Sequence, residues 1–225
     1  MLLRRTIAAV GLAILVMLVA AACSSEDSPG PGASPEHAIR LGVAHVGHDD
    51  YRGGEVIPPF DKPDIVLTDS TGKPYDLRKE TDGKLTLLYL GYTHCPDICP
   101  LHMLDIAQTL KKLPPEQAAK VKVVFITTDP ERDTPEVLGK WLAYFNKDYI
   151  GLTGSTAAIA RVHEQLSMPL PEKTELGDGE YSVSHAAYVL AFTPDNQGHL
   201  VFPSGFSRED WLHDLGKLTT EGWSN

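Results

Sequence analysis

Two short apolar runs limit the fold more than any other feature: "LTLLYLGY" at 85–92 and "VKVVFIT" at 121–127. A strand with one wet face alternates apolar and polar residues. A run that is apolar at nearly every position belongs to a strand covered on both faces. Between the two runs, Leu101, Leu104, Ile106 and Leu110 carry helical spacing, and Pro114-Pro115 closes the segment. Strand, helix and strand in that order call for a layered α/β arrangement.

The rest of the chain agrees. "DIVLTDSTGKPYDL" reads as a hairpin turning at Ser70 to Gly72, and "IGLTG" as a short strand. Thr134 ahead of Pro135, Ser155 and Ser207 each open a helical pattern as N-caps. "HAAYVLAFTP" and "HLVFPSGF" flank the turn "DNQG" as a second hairpin. The expectation is one mixed sheet with helices on both faces, made by the 166 residues beyond Pro59.

Ahead of that domain lie two segments of other character. "MLLRR" is followed by 17 uncharged residues (6–22) ending in "AAAC", the charge, apolar run and small residues of a secretory signal. The small residues before Cys23 resemble a bacterial lipobox, although Ala20 stands where leucine is usual. The expected product is cut before Cys23 and lipidated there; an uncleaved anchor helix is the alternative, short against the ~17–25 residues that span a bilayer. Either way the remainder is exported. The segment from Ser24 to about Pro59, rich in Ser, Pro and Gly, reads as a flexible tether. The division is therefore 1–22 signal, 23–55 tether and 56–225 folded domain. His37, His45 and His48 fall before the folded domain, at spacings that fix no metal geometry.

The whole chain carries 20 Lys+Arg against 30 Asp+Glu; cleavage removes Arg4 and Arg5 and no acid, leaving 18 against 30. With no long basic run, nucleic acid is not an expected partner.

Assigning Cys23 to lipid leaves Cys95 and Cys99, in "YTHCPDICP", as the exported domain's cysteines. Outside the cytosol a nearby pair is ordinarily a structural disulfide. Each cysteine precedes a proline, which disfavours helix at the residue before it, so the pair is expected in a loop with Pro100 opening the next helix. On an ideal helix their Cβ atoms would lie ~5–6 Å apart, beyond the ~3.5–4.5 Å of a relaxed disulfide. A loop permits either state. At a helix N-terminus thiolates are stabilised, which makes them better nucleophiles and better metal ligands.

A metal site needs a third donor. His102, His163 and His213 fall on helical patterns, where a solvated or half-buried histidine is ordinary, and His199 begins a strand. His185, at the entry of "HAAYVLAF", is the preferred candidate and His94, beside Cys95, the second. Two thiolates with one imidazole suit copper; a structural zinc more often takes four protein ligands.

The chain resembles the Sco/SenC family of thioredoxin-like copper proteins over roughly 57–220. The resemblance rests on "GYTHCPDICP", "TTDPERDTPEVL" and "SVSHAAYVLAF", three separated motifs in the family's order. It implies a thioredoxin-like fold with an inserted hairpin, and Cys95, Cys99 and His185 as ligands for both Cu(I) and Cu(II). It further implies assembly of the binuclear copper centre in cytochrome c oxidase subunit II, by delivering copper taken from a donor chaperone, by reducing that subunit's cysteines, or both. Asp129, Arg132 and Asp133 match the family's acidic-basic loop, implied to lie near the site for docking or support; a solvated loop ahead of a helix is the plainer reading. A thiol-disulfide oxidoreductase shares the fold, but such enzymes usually carry Cys-x-x-Cys and a cis-proline where this chain has "SHAA". A thiol peroxidase would need threonine at position 92, which is Tyr92.

Overall fold

The computed structural model describes residues 43–44 and 50–224. The signal segment, Cys23, and His37, His45 and His48 lie outside the described residues. In chain order the first elements are β1 (Val43–Ala44), β2 (Gly54–Asp61), β3 (Val66–Asp69), β4 (Pro74–Asp76), α1 (Leu77–Glu80) and β5 (Leu85–Gly91). Next come α2 (Ile98–Lys112), α3 (Pro115–Ala118), β6 (Val121–Thr127), α4 (Pro135–Ala143), β7 (Ile150–Thr153) and α5 (Thr156–Gln165). The chain finishes with β8 (Lys173–Gly177), β9 (Glu180–Val183), β10 (Tyr188–Phe192), β11 (Gln197–Pro203) and α6 (Arg208–Thr220).

Among the described residues, nine strands form one mixed sheet in the order β1-β2-β11-β10-β5-β6-β7-β3-β4. β5, β6 and β7 run parallel, and the other pairs are antiparallel. β8 and β9 make a separate hairpin outside this sheet. β5 shows why its sequence is apolar throughout. Leu85, Leu87 and Tyr89 enter one core, while Leu88 and Leu90 enter the other. The first core takes Met103 and Ile106 of α2, Leu138 and Leu142 of α4, and Trp211 and Leu215 of α6. The second takes Leu77 of α1 and Ile159 and Val162 of α5. Helices thus cover both faces, as the apolar runs require.

Local signals act where expected. Thr134, Ser155 and Ser207 cap α4, α5 and α6, accepting from the backbone N–H groups of Val137, Ala158 and Asp210. Gly72, at φ +81°, makes the β3–β4 turn.

Four expectations change. Gly54–Asp61 is a sheet strand and Tyr51 is buried, so ordered chain starts before Pro59; Pro58-Pro59 and few apolar residues disguised β2. The buried face of α2 is Cys99, Met103 and Ile106, while Leu101 and Leu104 are 56% and 39% exposed. Helix begins at Ile98, so Cys99 is its second residue and Pro100 its third, where the missing N–H would have had no partner. His102 and His163 are buried instead of solvated. Among the described residues, no helix is long and apolar enough to cross a membrane.

Candidate metal centre

Three elements meet at the carboxyl end of β5. The strand's exit carries Cys95 in a loop, the first turn of α2 carries Cys99, and the segment entering β10 carries His185. β10 pairs antiparallel with β5, Leu190 opposite Leu88. That register runs the residues ahead of β10 out past the end of β5, which brings His185 over the cysteine loop.

The result is a tight donor cluster. His185 Nε2 lies 3.6 Å from Cys95 Sγ and 3.7 Å from Cys99 Sγ. Among the described residues, these three are the group whose donor atoms converge, all within 4.8 Å of one another. An ion bound to nitrogen at ~2.0 Å and sulfur at ~2.3 Å with trigonal angles separates those atoms by about 3.7 Å. Both nitrogen-to-sulfur separations fit a single metal ion. Cys95 and Cys99 are both buried and neither is in a disulfide. His94, the second candidate, instead meets Thr93 Oγ1 at 3.1 Å and Asp133 at 3.8 Å, with its side chain 48% exposed.

The two thiols are electrically unequal. The Cys95 thiol is lowered to about 3, foremost by a hydrogen bond from Cys99, against the opposing effect of burial, with His185 and backbone N–H groups adding to the lowering. One of those groups is Cys99 N–H, which donates to Cys95 Sγ at 3.4 Å from the first turn of α2. The Cys99 thiol is pushed far up, first by burial, then by its hydrogen bond to Cys95 and by the Cys95 charge. Burial opposes protonation of His185, but the hydrogen bond and charge of Cys95 outweigh it and raise the imidazole. In the metal-free cluster the negative charge therefore settles on Cys95 in preference to Cys99, and His185 is drawn toward its protonated form.

Asp133 fastens the loop. Fully buried, it accepts from Thr93 N–H at 2.9 Å, Thr93 Oγ1 at 2.5 Å and Thr127 Oγ1 at 2.7 Å, tying the segment before Cys95 to the end of β6. Asp129 pairs with Arg132 and accepts from Tyr181 Oη at 3.1 Å. Arg132 lies over the Tyr181 ring at 3.6 Å and farther from Tyr92, at 5.7 Å. Lys173 pairs with Glu131, so the β8–β9 hairpin is held against the loop after β6. Tyr92 in turn packs edge-on to His185, with ring centroids 5.5 Å apart.

Two contributors went unread in the sequence. Gly91 is required because a Cβ there would lie 2.7 Å from Cys99 Sγ and 2.7 Å from Tyr89 Cε1. Tyr89 turns its hydroxyl toward the ligands. In sequence it is one more large residue in an apolar strand, and its parity with Gly91 was the available clue.

Known proteins resemble this chain in sequence and in fold. The family model described as SCO1/SenC matches residues 58–220. A "putative copper-binding protein" of Stutzerimonas stutzeri is 35% identical over 143 residues, 63% of this chain and 69% of that protein. "Protein SCO1 homolog 1, mitochondrial" of Arabidopsis thaliana is 38% identical over 63% of this chain, which spans only 40% of that relative. Among solved structures, Bradyrhizobium japonicum ScoI with copper bound superposes with TM-score 0.62 at 34% identity, over 71% of this chain and 96% of that one. Arabidopsis thaliana ScoI with copper bound superposes with TM-score 0.64 at 30% identity, over 73% and 98%.

Proposed function

This chain belongs to the SCO1/SenC family, and on that premise we propose that it is a membrane-tethered copper chaperone using Cys95, Cys99 and His185 as its copper ligands. The observation that carries the reading is the convergence of two buried sulfurs and one imidazole nitrogen at separations a single ion would set. Thiolates favour Cu(I), and the added imidazole accommodates Cu(II). The chain's part is to keep Cys95 ionised, to shelter Cys99 until copper displaces its proton, and to aim Nε2 at both sulfurs. Its target is the binuclear copper centre in subunit II of cytochrome c oxidase, with copper supplied by another chaperone. Lipidated Cys23 holds it to the outer face of the cell membrane, and the segment between Cys23 and β1 gives the reach. Cys23→Ala should move the chain from the membrane to the soluble fraction.

The inequality of the thiols supports a second activity on the same target. The Cys95 thiolate can attack a target disulfide, forming a mixed disulfide and releasing one target thiolate. Cys99, giving up its proton to that leaving thiolate, then displaces the second. A Cys95–Cys99 disulfide and a reduced target result, two electrons having passed.

The test is copper titration of the reduced full chain, wild type against His185→Ala, followed by visible absorption. One equivalent bound with thiolate-to-Cu(II) charge-transfer bands in wild type is expected. In the variant those bands change and Cu(II) affinity falls more than Cu(I) affinity, since two thiolates suffice for Cu(I). Wild type without bands, yet exchanging rapidly with a model disulfide, would leave the reductase as the function.

A further inference from the structure

Tyr89 is wholly buried, and its ring is held from several sides. His102 lies against it at 4.9 Å between centroids, Phe125 at 5.9 Å and His185 at 6.1 Å. Its hydroxyl, carried on the rigid central strand β5, sits between two candidate ligands. It donates toward Cys99 Sγ at 3.6 Å and lies 3.5 Å from His185 Nδ1.

The direction of these bonds follows from counting protons. His185 Nδ1 is 3.0 Å from the carbonyl of Ala186, which can only accept. Nδ1 therefore carries the ring proton, and a metal-bound imidazole keeps its Nε2 lone pair for the sulfur side of the cluster. The phenol oxygen can accept from that same Nδ1–H, and it has one proton of its own. Cys99 Sγ is the acceptor within reach. The chain Nδ1–H to Oη–H to Sγ then links the imidazole ligand to a thiolate ligand through one hydroxyl.

Resting on the reading of Cys99 and His185 as copper ligands, we infer that Tyr89 is a positioning residue that sets the balance between Cu(I) and Cu(II) at this site. An O–H bonded to a coordinated thiolate draws charge from the sulfur. That weakens its donation to copper, which disfavours Cu(II) more than Cu(I) and raises the energy of sulfur-to-Cu(II) charge transfer. The same hydroxyl, 3.5 Å from Nδ1, joins the closer Ala186 carbonyl at 3.0 Å in holding the plane of His185. Gly91 makes room for this arrangement, since a side chain there would strike both Cys99 Sγ and the Tyr89 ring.

The test uses the full chain and Tyr89→Phe, which keeps the ring and removes the oxygen. Thermal unfolding of both first establishes folding. Expected for the variant are a shift of the charge-transfer band to longer wavelength and a fall of about tenfold in the ratio of Cu(I) to Cu(II) affinity. Packing alone would change the melting temperature and leave band and ratio where they were; that result, in a folded variant, overturns the inference while leaving the copper site standing. Nitrogen-15 NMR of Cu(I)-loaded wild type supplies a check that needs no variant. A protonated Nδ1 on His185 is the expected result, and copper on Nδ1 with the proton on Nε2 refutes the relay. Wild type that takes up no copper would sink both the site and the role given to Tyr89.

Discussion

Gly91→Ala is the sharpest probe of the site, because it adds one carbon at a known place. The new Cβ would sit 2.7 Å from Cys99 Sγ, 2.7 Å from Tyr89 Cε1 and 3.3 Å from Phe125 Cε2. Non-bonded heavy atoms settle at roughly 3.5–4.0 Å, so the sulfur and the Tyr89 ring must each withdraw by about 0.8 Å or the strand must bow. β5 is paired on both edges, with β6 and β10, and does not bow freely. The sulfur is the softer neighbour, but Cys99 is fully buried on α2. Overpacking of this kind costs about 1–3 kcal/mol, which for a domain of this size lowers the melting temperature by roughly 2–12 °C. Metal–ligand distances tolerate about 0.2 Å, so a sulfur displaced by several times that should lose copper affinity by 10-fold or more. The assay pairs thermal unfolding of the full chain with competition against a chelator of known Cu(I) affinity. Loss of stability with unchanged copper affinity would refute the assignment of Cys99, as placed here, to the metal.

Other consequences can be checked in the metal-free protein. With Cys95 lowered to about 3, its alkylation rate should stay flat from pH 5 to pH 8, read by mass spectrometry of the modified peptide. A tenfold rise per pH unit over that range would mean an ordinary thiol. Asp133→Ala leaves Thr93 N–H, Thr93 Oγ1 and Thr127 Oγ1 without their acceptor, at a cost of about 3 kcal/mol; a loss below about 0.5 kcal/mol by denaturant titration, the level of an ordinary surface change, would contradict the tie. Lys62, buried beside Thr81, is lowered to about 8, first by burial and then by the Arg78 charge, against Asp82 and Asp195. Below pH 8 both folded and unfolded chains carry its proton and the full cost of the buried charge stands. Between about pH 8 and 10.5 the unfolded chain holds more protons, so stability rises with pH. Lys62→Met should abolish that rise, measured as the difference between the two proteins' unfolding free energies across the window; parallel curves would count against it.

By itself the sequence determined the parts whose physics is local. Residues 85–92 and 121–127 announce strands with two dry faces because nearly every position must be apolar there. The caps at Thr134, Ser155 and Ser207 bond within their own first turn. Cys95 and Cys99 are four residues apart, so their proximity needs no tertiary knowledge. Only the tertiary structure decided what depends on register and parity. His185 and His94 were both open as the third donor until the pairing of β10 with β5 carried His185 over the sulfurs and the bond to Thr93 drew His94 away. β2 escaped notice because a strand's hydrogen bonds come from its neighbours, here β1 and β11, and not from its own composition. The wet side of α2 was misjudged because Leu101 and Leu104 are as apolar as the residues that face the core. A helix turns the side that fits, and here Cys99 fits against Tyr89 and Gly91. The Tyr89 hydroxyl is the furthest case: its place between sulfur and imidazole is set by three segments meeting, which no single stretch of chain encodes.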